Sequence, residues 1–146
     1  MTAIELLKND HREALSMIEQ LESTGEGATG SSRIEVFNQL KGALTLHTKL
    51  EEQFFYPALE NFDETRDLIK ESYKEHREVD ELLTKMSGHG EGWEDQLSEL
   101  KGDIEHHVDE EENEMFPQAE ELLGQRRLQE IGRQMEEMKR GQSATA

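Results

Sequence analysis

The chain has no cysteine among its 146 residues, so it can form no disulfide and bind no thiolate-held cluster, and thiol catalysis is excluded. Any metal it holds must rest on imidazole, carboxylate or phenol. Proline occurs twice and aromatic residues make up 5%, which leaves long helices uninterrupted and large side chains scarce. Basic residues are outnumbered 16 to 34 by acidic ones. The resulting charge of −18 disfavours phosphate backbones and anionic membrane surfaces as partners. No stretch approaches the roughly 20 apolar residues of a membrane span. The N-terminus, MTAIELLKNDH, lacks the basic-then-apolar layout of a secretion signal, so a cytoplasmic location is expected.

With 33% apolar residues the chain sits near the range of disordered segments, but its periodicity is that of helices. Thr2 and Glu5 form a capping box, after which Ile4, Leu7, His11, Ala14/Leu15, Ile18 and Leu21 recur at spacings of three and four. This helix is expected to end near Thr24, before GEGATGSS. A second capping box, Ser32 with Glu35, opens a seam of Phe37, Leu40, Leu44, His47, Glu51 and Phe54, and Pro57 is expected to stop or kink it.

A third helix is expected to start after Asn61 or Asp63 and to turn Ile69, Ser72/Tyr73, His76, Val79/Asp80, Leu83 and Met86 inward. The glycine-rich segment 88–92 ends it. The fourth carries Trp93, Leu97, Leu100, Ile104, His107, Glu111 and Met115 up to Pro117. Leu128, Ile131, Met135 and Met138 mark a final amphipathic helix, whose span from Gln125 to Arg140 packs on the bundle or serves as a regulated contact. The expected fold is all-α, an antiparallel up-down-up-down four-helix bundle with an extra C-terminal helix. It forms one domain over residues 1–140, with 141–146 as a disordered tail.

The chain also repeats itself. HTKLEEQFFYPALE, from His47, and HVDEEENEMFPQAE, from His107, each give His, three residues, Glu-Glu, an amide and an aromatic-Pro step. Upstream, Asp10-His11-Arg12-Glu13 matches Glu75-His76-Arg77-Glu78. The order is A-B-A′-B′, with one His on each A segment and one His-x3-Glu on each B segment. Residues four apart share a helical face, so His47 points with Glu51 and His107 with Glu111. Counting from the loops at 1.5 Å per residue places His11, His47, His76 and His107 within roughly 3–6 Å of one level.

Four imidazoles and two carboxylates converging in a core are costly unless paired or bound to metal. Calcium and magnesium prefer oxygen alone, and a closed zinc site takes four ligands, often with sulfur. Six mixed donors suit a pair of iron ions best, with zinc and manganese as the other metals of this ligand class. Ferritin-like di-iron sites place Glu three residues before His, and no His here has Glu at that spacing.

Over residues 3–123 the chain resembles the hemerythrin-like, or HHE cation-binding, domains, on the pattern His11, His47/Glu51, His76, His107/Glu111. The resemblance implies two iron ions, one on His11 and His47 and the other on His76 and His107. Glu51 and Glu111 would bridge both, and an oxo or hydroxo group would be the third bridge. It also implies a small-molecule ligand: O2, H2O2 or NO. Oxygen-carrying members have a fifth His one turn before the third-helix ligand, where this chain has Ser72, with Leu7 as its counterpart. Water, Tyr73 or another oxygen donor is left for that place, Tyr56 being the weaker candidate. The departure favours catalase-like peroxide dismutation or NO-peroxidase chemistry over oxygen carriage. An iron- or oxygen-sensing or storage module without turnover is the alternative, and a zinc-holding structural bundle the third reading.

Around these residues, His106 is expected at the surface or behind the ligands, and His89 in solvent. Glu52, Glu112, Asp109 and Glu110 are read as solvated or as groups that orient a ligand imidazole. The pattern sets no oligomeric state; a monomer is consistent with it.

Overall fold

The computed structural model describes residues 1–24 and 30–145, and within them the side chains of 1–23 and 33–141. The described residues are helical in eight consecutive pieces: α1 (Ala3–Thr24), α2 (Gly30–Leu50), a π-helical turn (Glu51–Phe55), α3 (Tyr56–Leu59), α4 (Arg66–Met86), α5 (Trp93–Glu110), a second π-helical turn (Glu111–Met115) and α6 (Phe116–Thr145). The Thr2–Glu5 box starts α1 as its sequence implies, with Thr2 N–H donating to Glu5 Oε1 at 3.0 Å and Glu5 N–H to Thr2 Oγ1 at 3.2 Å. The second box lies outside the described residues at Ser32, as do most of the loop before it and the side chains of the 141–146 tail beyond Gly141.

The long helices close into a ring in which α1 packs on α2 and α5, and α4 on α5 and α2. Neighbours run antiparallel. Asp10 and Glu22 of α1 meet His47 of α2 and Lys101 of α5, while Glu75 and Met86 of α4 meet His107 and Trp93 of α5. This is the expected all-α bundle. α6 continues the fourth helix only to Gly124, where a left-handed φ of 78° breaks it, and the remainder folds back along α1. Glycine adopts that φ without a Cβ clash.

Neither proline stops its helix. The turn before each widens to a π turn, so that Tyr56 N–H bonds back to Glu51 O and Phe116 N–H to Glu111 O. The extra residue makes room for the proline ring and leaves unpaired the carbonyl that the missing proline N–H would have met. It also moves the inward stripe on by one: Phe55, not Phe54, is fully buried, and Phe55-Tyr56 and Met115-Phe116 are buried as consecutive pairs. Phe54 is half-buried against the same cluster. A further difference is the start of α4 at Arg66, held back by a turn in which buried Thr65 donates to Leu59 O at 2.7 Å.

Two apolar clusters fill the bundle. One, toward the prolines, contains Leu7, Leu50, Phe55, Tyr56, Leu59, Phe116 and the inner face of α6. The other, toward the loop end, contains Ile18, Phe37, Leu40, Leu83, Met86, Trp93 and Leu100. Between them lies a polar layer of His11, His47, Glu51, His76, His107 and Glu111, all buried.

Candidate metal centre

The structure brings together all six donors singled out by the repeat. Ligand atoms of His11, His47, Glu51 and Glu111 lie within 4.8 Å of one another, and those of Glu51, His76 and His107 form a second such group. Glu51 belongs to both. Its Oε1 is 3.3 Å from His47 Nε2, 3.0 Å from His76 Nε2 and 3.8 Å from His107 Nε2. Glu111 spans the groups as well, with Oε1 3.0 Å from His11 Nε2 and Oε2 3.4 Å from His107 Nε2.

Despite these approaches, neither oxygen of Glu51 makes a hydrogen bond, nor does His47 Nε2, and all three atoms are buried. Buried polar atoms in that condition each cost ~1–3 kcal/mol. Two ligands at right angles on a metal, with bonds near 2.1 Å, stand about 3 Å apart. Glu51 Oε1 and His47 Nε2, 3.3 Å apart, are close to that spacing, so a cation between them would satisfy what the protein leaves unsatisfied.

Each imidazole is held from behind by one carboxylate on Nδ1. Glu112 Oε2 accepts from His11 at 2.7 Å, Asp10 Oδ2 from His47 at 2.9 Å, Glu52 Oε2 from His76 at 2.8 Å and Glu75 Oε1 from His107 at 2.6 Å. The pattern follows the repeat. The carboxylate just before each A-segment His grips the B-segment His of its own half, and the one just after each B-segment Glu grips the A-segment His of the other half. Such bonds fix the tautomer, leaving Nε2 aimed inward, and raise ligand basicity.

For Glu52 and Glu112 this is one of the two alternatives left open by the sequence. Sequence reading missed Asp10 and Glu75, although both precede a singled-out His in the A repeat. Asp109 instead accepts from Asn113 at 2.6 Å, and Glu110 pairs with the exposed His106 at 2.6 Å. His89, expected in solvent, stacks on Trp93 with centroids 5.3 Å apart.

Without a cation the donors compensate one another. Burial works against a charged His47, yet Glu51, Asp10 and Glu111 outweigh it and push the imidazole up to about 10. His76 and His107 move the same way, against burial, through Glu51, Glu111 and the carboxylates behind them. Burial would raise Glu51, but the imidazoles hold it well below the usual carboxylate range.

The two tyrosines exchange the order expected of them. Tyr73 points away, its hydroxyl donating to Glu60 Oε1 at 3.0 Å. Tyr56 is fully buried, donates to Glu111 Oε2 at 2.6 Å and lies 3.2 Å from His76 Nε2. The buried Ser72 lies within hydrogen-bond reach of the Tyr56 hydroxyl.

On the loop side the four imidazoles border a cavity of about 50 Å3, walled by Ala14, Ala43, Leu44, Val79, Ile104 and Val108. An adjoining hollow of about 250 Å3 shares Leu44, Thr48, His76 and Val79 with it and is also lined by Thr45, Arg77 and Asp80. The inner space admits a few water-sized molecules and no organic substrate. Among the described residues, no helix is long and apolar enough to cross a membrane.

A helical bundle with a buried His/Glu layer and orphaned donors has the donor set of a metal-binding protein. The family model for the hemerythrin HHE cation binding domain matches residues 2–119, and the chain belongs to that family. Its fold is similar to the crystal structure of a hemerythrin HHE cation binding domain-containing protein from Mycobacterium kansasii, with a TM-score of 0.82 and 28% identity over 99% of this chain and 91% of that one. No curated protein matches the chain.

Proposed function

We propose that the polar layer holds two iron ions, one on His11 and His47 and one on His76 and His107, with Glu51 and Glu111 spanning both. The supporting observation is the pair of unpartnered Glu51 oxygens shared by two donor groups. The donor set admits iron and disfavours a single zinc. Imidazole with carboxylate and no sulfur suits iron, manganese or zinc, and six donors exceed what one tetrahedral zinc takes. Iron would supply two-electron redox capacity and open coordination positions for O2, H2O2 or NO.

The residues of the chain do the rest. Asp10, Glu52, Glu75 and Glu112 hold the four imidazoles in the tautomer that frees Nε2. Tyr56 brings a hydroxyl to the His76 side, 3.2 Å from Nε2 and donating to Glu111 Oε2; burial and Glu111 keep it protonated, and a bound cation would be the partner able to draw on its oxygen. Leu44, Val79, Ile104 and Val108 keep the approach apolar and narrow, which selects diatomic molecules and peroxide and excludes bulkier oxidants. Catalase-like peroxide removal or NO detoxification at this centre is the reading these features support best.

Metal analysis of protein made in iron-supplemented cells, with oxygen evolution followed after peroxide addition, tests the proposal. Two irons per chain and sustained oxygen release are expected. Two irons without turnover would leave sensing or storage, and a single zinc would remove the di-iron reading.

A further inference from the structure

Outside the buried centre, Glu75, His106 and Glu110 form a third group whose ligand atoms lie within 4.8 Å of one another. His106 Nε2 is 2.6 Å from Glu110 Oε1 and 3.4 Å from Glu75 Oε2, and the imidazole is 64% exposed while the Glu75 side chain is 10% exposed. Glu75 thus has two faces: Oε1 accepts from His107 Nδ1 inside, and Oε2 turns outward to this cluster. It also borders the cavity beside the imidazoles.

The internal repeat sets this arrangement apart from its first-half counterpart. Asp10 is the first-half counterpart of Glu75, with Oδ2 on His47 Nδ1, and its outer oxygen is taken by the ammonium of Lys139 from α6. α6 lies along α1. In the second half the equivalent outer oxygen meets an imidazole and a further carboxylate instead. Where one half places a fixed positive charge, the other assembles three metal-type donors. The surroundings are negative: burial and then Glu99, Glu78 and Glu75 push Asp103 above the ordinary carboxylate range.

We propose that Glu75, His106 and Glu110 form an outer divalent-cation site, one carboxylate away from the candidate ligand His107. One imidazole with two carboxylates suits Fe2+, Mn2+ or Zn2+ rather than Ca2+ or Mg2+. A cation there draws on the carboxylate that orients His107, so the outer and inner positions share an electrostatic link.

The test is calorimetric titration of Mn2+ into protein whose buried centre has first been loaded with iron, in the wild type and in the His106→Ala and Glu110→Gln variants. Both substituted side chains lie outside the buried layer, so iron content and spectrum serve as controls for folding. Expected is one Mn2+ equivalent beyond the buried ions in the wild type, with a dissociation constant raised at least tenfold in each variant. Absence of that equivalent, or the same dissociation constant in all three proteins, overturns the proposal and assigns Mn2+ uptake to the general acidity of the surface.

Discussion

Tyr56 and Phe116 are counterparts across the internal repeat, each the first residue after a π turn, and each ring stacks on an imidazole of the polar layer. Tyr56 lies over His76 with centroids 5.4 Å apart, and Phe116 over His11 at 5.9 Å. Only the first carries a hydroxyl, and the counterparts Ser72 and Leu7 differ as well, so the surroundings of His76 and His11 are not equivalent. Tyr56→Phe should keep the fold, since the ring and its stacking remain. In ferric protein it should remove any phenolate-to-iron absorption in the visible spectrum. An unchanged spectrum would leave Tyr56 as a proton donor alone.

Glu51 is shared by both donor groups, whereas each imidazole serves one. Glu51→Ala is expected to lower iron content from two to at most one per chain, with loss of the near-ultraviolet bands of a bridged pair. Asp10→Asn, which weakens the hold on His47 and the pairing with Lys139, should reduce metal affinity by about 10- to 100-fold while retaining both positions. Metal analysis after dialysis against graded chelator distinguishes the two.

The C-terminal helix reaches the centre through Lys139, Asp10 and His47. Lys139 is a third exposed, and the buried Asp10 keeps His47 as a partner, so Lys139→Met should cost no more than ~1 kcal/mol of stability. Gly132 is more demanding. A Cβ there would stand 2.3 Å from Met1 O and 2.8 Å from Ala3 N. Gly132→Ala should therefore push the start of α1 away and destabilise by ~1–3 kcal/mol. Urea unfolding of the two variants should show the larger loss for Gly132→Ala.

The metal-free protein should have a distinctive pH profile. His47, His76 and His107 bind protons more tightly folded than unfolded, so their contribution is complete below the unfolded value of 6.5 and fades as pH rises, for His47 through about 10. Glu51 does the opposite: its contribution is present above the unfolded value of 4.5 and is lost as pH falls below it. Chelator-treated protein should thus melt at a lower temperature at about pH 9 than at about pH 6. Metal displaces the protons on Nε2, so affinity should rise over the same interval. A melting temperature of the apoprotein that rises toward pH 9 would contradict the charge pairing described above.

Much of this was legible in the sequence because the repeat and the helical period carry the same message. His47/Glu51 and His107/Glu111 stand one turn apart, and both pairs meet in the core as that spacing requires. The π turns were not legible from a 3.6-residue period, which selects Phe54 where the extra residue buries Phe55. The adjacent apolar pairs Phe55-Tyr56 and Met115-Phe116, each just before a proline, are the local signal of the widened turn. The same local rule explains the exchange of the tyrosines, since Tyr56 gains its inward direction only from the π turn. Asp10 and Glu75 escaped notice for another reason. A carboxylate beside a helical His points some 100° away from it, and only the neighbouring helix brings a second imidazole into reach.

Anomalous diffraction at the iron edge, from crystals grown with ferrous salt, addresses the central claim most directly. Two neighbouring peaks are predicted, one against His11 and His47 and the other against His76 and His107, with Glu51 between them. A single peak held by three imidazoles, or an empty polar layer with its imidazoles turned to their carboxylates alone, would contradict the account.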